Sequence, residues 1–179
     1  SSFTSKYTSI ESPKTQRHHC LVWSDWFSTP QIEFNNGIRL DTTYYYWPPS
    51  WVANRPGFFT GSGMPMRFVN QDGTMIDVFG APTQLTDESG QSYPFTIDTL
   101  LDRAIGTEGY YGVFNVNAHT DFPTSSVGDA VVNSALARGV PIVSAKQMLT
   151  WLDGRNSSSF GSLGWNNNAL SFTITKGSN

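Results

Sequence analysis

Apolar positions along the chain fall into two regimes. Before Thr96 they form short runs, alternating or β-branched, divided by Pro- and Gly-rich stretches; from Thr96 onward a helical spacing takes turns with short strand-like runs. Residues 1–16 are rich in Ser, Thr and Lys without an apolar period and read as an arm. Cys20-Leu21-Val22-Trp23 reads as a short buried strand ending at Ser24-Asp25-Trp26. Ser28-Thr29-Pro30 can cap a short helical turn that Gly37 ends. Ile38 to Thr43 alternates as a strand, with Ile38, Leu40 and Thr42 on one face and Arg39, Asp41 and Thr43 on the other. Met64–Val69 and Thr74–Phe79 flank Asn70-Gln71-Asp72-Gly73, a hairpin signal. Residues 80–95 form a long polar loop, the kind that in barrels lies over a site.

In the second regime Thr96 can cap a helix with Ile97, Leu100, Leu101, Ala104 and Ile105 on one stripe and Gly106 at its end. Gly109 to Asp121 then reads as a strand. A second helix carries Val127, Ala130, Val131 and Ala135, Val140–Val143 reads as another strand, and Ser144 caps a third helix bearing Met148, Leu149 and Leu152. Helices alternating with strands at this spacing predict parallel strands with right-handed crossovers, hence an α/β sheet or part of a β/α barrel. Trp165 to Thr175 alternates around Asn166-Asn167-Asn168 and predicts a terminal hairpin or the start of a β domain. The expected organisation is an arm over 1–16, an α/β domain over 17–154 and a β extension over 155–179.

Composition narrows the function classes. The chain has 179 residues, enough for one domain with a buried core. Only 14% of residues are charged, against about 25% in typical soluble proteins, and aromatics make up another 14%. Few charges beside many aromatic and neutral polar groups suit secreted proteins that handle sugars, where rings stack on Trp and Tyr and amides read hydroxyls. A net charge of −3 without a basic stripe argues against nucleic acid. Cys20 is the one cysteine, so no internal disulfide or cysteine-based zinc site forms. No apolar run reaches the ~20 residues that cross a bilayer. Ser1 opens the chain without a methionine or signal peptide, as expected of processing or truncation.

Candidate chemistry concentrates in GYYGVFNVNAHTD, residues 109–121. On a strand Val113, Asn115, Asn117 and His119 share one side, and Phe114, Val116 and Ala118 form a greasy opposite face. The first side grows more polar toward its C-terminal end, where α/β folds open into sites. A backbone-satisfying histidine at the mouth of the fold is the competing account. Arg39 and Asp41, two apart on one strand face, can pair and orient the carboxylate for work, or form a structural ion pair. The aromatic burst Tyr44 to Trp51, broken by Pro48-Pro49, is a sugar-stacking platform if exposed and a lid on the core if buried. His18 and His19 point to opposite faces of an extended backbone and cannot both ligate one ion. Asp72-Gly73 is explained by turn chemistry and lacks the spaced ligands of a calcium loop.

The phrases RHHCLVWSDW, GIRLDTTYYYWP, GSGMPMRFVNQDGTMIDVFGAPTQLTDESG, GYYGVFNVNAHTD and VPIVSAKQMLTWLDGRNSSSFG carry a resemblance. Over most of residues 17 to 165 the chain resembles the C-terminal half of secreted bacterial proteins related to the polysaccharide deacetylases, of the glycoside hydrolase/deacetylase β/α-barrel type. The resemblance implies a distorted barrel, a divalent, zinc-type metal held by one Asp and two His, a second Asp as base and a late-strand His as acid. His119 matches that late-strand histidine, and Arg39 with Tyr44 corresponds loosely to the arginine motif that orients the base. The paired aspartates of the family's first strand are absent, and no His-x-x-x-His is present. The metal ligands and the base are therefore expected in an upstream half or another subunit, or have been lost.

The expectation is a secreted or cell-surface carbohydrate-active protein, a metal-dependent hydrolase removing acetyl groups from a polysaccharide. Its catalytic set would be His119, oriented by Asp121 or Asp41, together with Arg39; its substrate contacts would be Tyr44, Tyr46, Trp47, Trp51, Asn115 and Asn117. The alternative is a non-catalytic carbohydrate-binding or extracellular structural module, which the aromatic surplus and missing ligands favour.

Overall fold

The structure, a computed structural model, describes residues 5–19, 23–43, 48–53, 55–58, 60–88 and 90–177. Cys20–Val22 of the predicted strand Cys20–Trp23 and Tyr44–Trp47 of the aromatic burst Tyr44–Trp51 lie outside the described residues. The chain is mixed α/β and divides into two compact units, Ser1–Ile142 and Val143–Asn179. The boundary thus precedes the third predicted helix instead of following it.

The first unit is built on short parallel strands. β1 (Thr15–Gln16) pairs in parallel with β2 (Leu40–Asp41), and β2 pairs in parallel with β4 (Met75–Gly80). Thr15 and Gln16, read from sequence as the end of an arm, are therefore a stave of the sheet. Helix α1 (Ser28–Asn35) connects β1 to β2, and the short α2 (Pro49–Val52) follows β2. β3 (Met66–Val69) returns antiparallel on β4 through the expected turn, where Asp72 Oδ1 accepts from the Thr74 N–H at 2.9 Å and Gly73 takes φ +84°. After Ala81-Pro82 the chain continues as β5 (Thr83–Thr86), which pairs in parallel with β6 (Asn115–Asn117). The two sheets are stitched where they meet. The Ala81 N–H donates to the Asp41 carbonyl at 2.8 Å, the Thr83 hydroxyl to the Thr42 carbonyl at 2.8 Å, and the Asn115 amide to the Ala81 carbonyl.

α3 (Phe95–Ile105) crosses from β5 to β6, and α4 (Ser126–Ala137) follows β6. Ile97, Leu100 and Leu101 form the buried stripe of α3 and pack with Leu85 and Ala135 in one cluster, joined at its margin by Tyr93, Phe114, Val131 and Val140. Ile105, assigned to the same stripe from periodicity, is exposed instead. α3 starts one residue before Thr96, whose hydroxyl bonds back to the Ser92 carbonyl at 2.8 Å instead of capping. In α4 the Ser125 side chain caps, accepting from the Gly128 N–H.

Val140–Val143 is not a strand. Val140 closes the α4 terminus by donating to the Ala135 carbonyl, Pro141 has no N–H to give a ladder, and Ile142 and Val143 are exposed. GYYGVFNVNAHTD is strand only over Asn115–Asn117; Asn117 is buried, Val116 is partly exposed and Phe114 packs at the margin of the core cluster. Asn115 donates to the carbonyl of Ala81 in the link between β4 and β5, so it satisfies a backbone group at the sheet junction.

The second unit opens with α5 (Ala145–Ser157), whose Ser144 and Gln147 form a reciprocal capping box. A hairpin follows, β7 (Ser159–Asn166) antiparallel to β8 (Ala169–Thr175), with Asn167 and Asn168 both at positive φ in the two-residue turn. No helix among the described residues is long and apolar enough to cross a membrane.

Leu100 contributes to the one cluster that holds α3 and α4 against β5. Replacing it with Ala should cost about 2–5 kcal/mol, the usual range for a buried Leu that leaves a cavity, read as a drop in the urea midpoint at unchanged slope. A loss below about 1 kcal/mol would show that this cluster is not the core of the first unit.

Candidate functional site

Ionisable groups stand at the ends of four strands that pair in parallel, and Glu33 joins them from α1. His18 lies just past β1, Asp41 ends β2, Asp87 and Glu88 follow β5, and His119 follows β6. These groups form two separate constellations with opposite electrostatics.

The first is centred on His119. Its Nδ1 lies 2.8 Å from Asp87 Oδ1, its backbone N–H donates to Asp87 Oδ2 at 2.8 Å, and its Nε2 lies 3.4 Å from Glu88 Oε1. Asp87 thus grips both the ring and the main chain of residue 119, which fixes the ring and the tautomer. The side chain keeps 24% of its surface accessible, so the imidazole is held but reachable. Its pKa is raised, first by the hydrogen bond to Asp87 and further by the charges of Asp87, Glu88 and Asp121, against a smaller opposing effect of desolvation. For Asp87 partial burial pushes upward, but the bonds and charge of His119 outweigh it and hold the carboxyl below its ordinary value. Each group therefore favours the charged form of the other.

The second constellation is buried. Glu33, in the last turn of α1, and Asp41 are each 3% exposed. Glu33 Oε1 receives the Gln16 amide and lies 3.1 Å from His18 Nε2, while Oε2 is buried without a partner. Thr43 donates both its N–H and its hydroxyl to Asp41 Oδ1, and the same hydroxyl oxygen accepts the His18 N–H at 3.0 Å. A continuous path of hydrogen bonds therefore joins the end of β1, α1 and the end of β2. Burial raises the pKa of both carboxyls; the nearby Asp41 raises that of Glu33 further, against the bonds from Gln16 and His18.

The expected partnerships differ from those observed. Asp121 contributes charge to His119, but the ring is oriented by Asp87, and Asp41 belongs to the buried cluster. Arg39 is turned to the neighbouring strand, where Nη2 lies 3.0 Å from Asp77 Oδ2 and Nε donates to the Asp77 carbonyl; Asp41 is held by Thr43 instead. Asp77, bracketed also by Arg67 at 3.6 Å, is nearer to Arg39 across the ladder than Asp41 is along it. Trp51 is exposed on α2, Asn115 is committed to the Ala81 carbonyl, and Asn117 is buried with its amide nitrogen unpartnered. Tyr44, Tyr46 and Trp47 lie outside the described residues.

Asp87, Glu88 and Glu33 were not singled out from sequence. For the first two a signal existed: Thr83-Gln84-Leu85-Thr86 is a short β-prone run, and a carboxylate just past such a run is placed at a strand end. For Glu33 there was none, since it sits between Ile32 and Phe34, which are both exposed. Among the described residues no three His, Cys, Asp or Glu side chains converge as metal ligands. The metal that the resemblance implies therefore finds no ligand set in them.

The two constellations predict opposite pH responses. Raised carboxyl pKa values in the fold mean that the Glu33–Asp41 contribution is fully present below the unfolded value of about 4 and is lost as pH rises through the folded values. Glu33→Gln, which keeps the shape and gives Oε2 no charge, should raise the melting temperature at pH 7.5 by roughly 2–4 °C per kcal/mol relieved, with the gain shrinking toward pH 4. A lower melting temperature at pH 7.5 would show that the charge is compensated. His119 and Asp87 together stabilise most between the unfolded values of the two groups, about pH 4 to 6.5. His119→Ala should therefore flatten stability on both sides of that window, read by denaturant titration at a series of pH values.

No protein-family model, no curated protein and no solved structure matches this chain.

Proposed function

We propose that the chain is the late-strand part of a carbohydrate-active hydrolase that removes acetyl groups from a polysaccharide, with His119 as its general acid. The observation that carries this reading is the His119–Asp87 pair at the C-terminal end of parallel strands, an imidazole oriented through Nδ1, still reachable, and with its pKa raised by that bond. The parallel strands with their crossover helices are read as an arc of a distorted β/α barrel whose remaining staves come from a partner half or another subunit. A secreted or cell-surface location and a glycan substrate fit the low charge and the aromatic surplus.

The step assigned to this chain is proton delivery. Water gives up a proton to the base expected in the partner half and adds to the acetyl carbonyl, and the bond from the carbonyl carbon to the leaving oxygen or nitrogen breaks. His119 Nε2 gives its proton to the leaving atom, releasing acetate and a free hydroxyl or amine. Asp87 holds the Nδ1 proton and stabilises the cationic form that must be present at the start of the step. Solvent, which reaches the ring, returns a proton to Nε2 for the next turnover.

The second reading, a non-catalytic glycan-binding module, is favoured by the exposed rings of Trp26 and Trp51. The readings part on acetate release from an acetylated oligosaccharide, assayed with divalent metal supplied and the partner half present. The hydrolase reading expects release that falls about 10²–10⁴-fold in His119→Ala without loss of folding. It also expects Asp87→Asn to move the alkaline limb of the rate profile to lower pH, because the imidazolium loses its main support. Absence of release by the intact protein, with oligosaccharide binding abolished by Trp51→Ala, would establish the binding module in its place.

A further inference from the structure

Within the second unit, the hairpin has an apolar face that no described residue of that unit covers. Leu170, Phe172 and Ile174 alternate along β8 onto one side of the ribbon; Trp165 stands directly across from Leu170, and Phe160 across from Ile174. The Phe160 and Phe172 rings meet edge to face at 5.3 Å, so these side chains form one contiguous surface. Each is 45–69% exposed. The opposite side is small and polar, with Gly161 opposite Thr173 and Gly164 opposite Ser171. A two-stranded ribbon with one wholly apolar face is marginal in water until that face is buried.

We propose that this face is a homodimer interface, two copies of the chain packing hairpin on hairpin about a two-fold axis. Residues 159–175 contain no Asp, Glu, Lys, Arg or His, so the face meets a copy of itself without like-charge repulsion and lacks any charge that would select an oppositely charged partner. An isologous contact needs only a self-complementary patch, which a uniform apolar strip provides. At roughly 150–250 Å² per fully exposed aromatic, the five side chains offer about 500–600 Å² per copy. Two copies then reach about 1,100 Å², near the lower bound of specific interfaces, so a dimer of about micromolar dissociation constant is expected. A glycan is the poorer occupant. Sugar stacking needs hydroxyls and amides beside the rings, and here those groups lie on the other side of the ribbon.

Analytical ultracentrifugation of the full chain between about 1 and 100 µM tests this directly. The expected result is a shift from one copy to two, with Trp165→Ser and Phe172→Ser weakening the association by about tenfold or more each, while Tyr111→Ser in the first unit leaves it unchanged. If the serine variants do not fold, Leu170→Lys and Leu170→Glu serve instead: each chain alone should be monomeric, and an equimolar mixture should recover the two-copy species. A single copy throughout the range, open-ended assemblies in place of a closed dimer, or a dimer indifferent to all of these substitutions would each overturn the proposal. Retention on an insoluble polysaccharide that the same substitutions abolish, with the chain monomeric, would overturn it in favour of a glycan.

Discussion

The end of β2, Asp41 to Thr43, is where the first unit is held together. Its backbone accepts from Ala81 and, through Thr42, from the Thr83 hydroxyl, while the Thr42 N–H donates to Gln16 in β1. The Asp41 side chain is at the same time fixed by Thr43, which also receives His18. β1, β2, β4 and β5 are only two to six residues long, too short for ladder bonds alone to define their order. Their registration comes from this three-residue junction, which joins the two sheets and places the ends of β1 and β2 together. A carboxylate buried at such a point is costly, and its cost is offset by satisfying backbone groups that would otherwise be stranded between the sheets.

The two acid–histidine constellations illustrate how environment divides the same residue types into different roles. At His119 the carboxylates are partly hydrated and the imidazole gains charge from them; at His18 the carboxyls are dry, and their ionisation is what is disfavoured. Proton-transfer groups work when their pKa is near the working pH and their reactive atom is reachable. His119, held by Asp87 and partly exposed, is reachable; Glu33 is closed to solvent, and burial disfavours its ionisation.

Much of the fold was legible because its signals are local. The Asn70–Gly73 turn, the apolar stripe of α3, the Ser144 capping box and the Asn-rich terminal turn are all set by residues within a few positions of one another, and each forms as its chemistry dictates. The misreadings share one cause, that alternation says which residues share a face and not what the face meets. Asn115 points inward because a sheet junction presents the Ala81 carbonyl there, and Arg39 pairs with Asp77, which the β2–β4 ladder sets beside it. The acid candidate His119 was identifiable from its place after a β-prone run, whereas its partner Asp87 is 32 residues away and is brought near only by the parallel pairing of β5 with β6.

Helix α1 shows most clearly why periodicity alone cannot locate a site. It buries Pro30 and Glu33 and exposes Ile32 and Phe34, the inverse of an amphipathic surface helix. Its capping is likewise displaced. Asp25, three residues before the first helical residue, accepts from the Phe27 and Ser28 N–H groups and from the Ser28 hydroxyl, and its carboxyl is pulled down to about 2, chiefly by the Ser28 hydroxyl bond. Asp25 thus fixes the start of the helix, and Glu33 ties it to Gln16 and His18. Polar anchoring of this kind is directional where hydrophobic burial is not. It holds α1 at one angle to β1 and β2, which is what keeps His18, Glu33 and Asp41 within one hydrogen-bonded path and leaves the apolar residues of the helix facing outward.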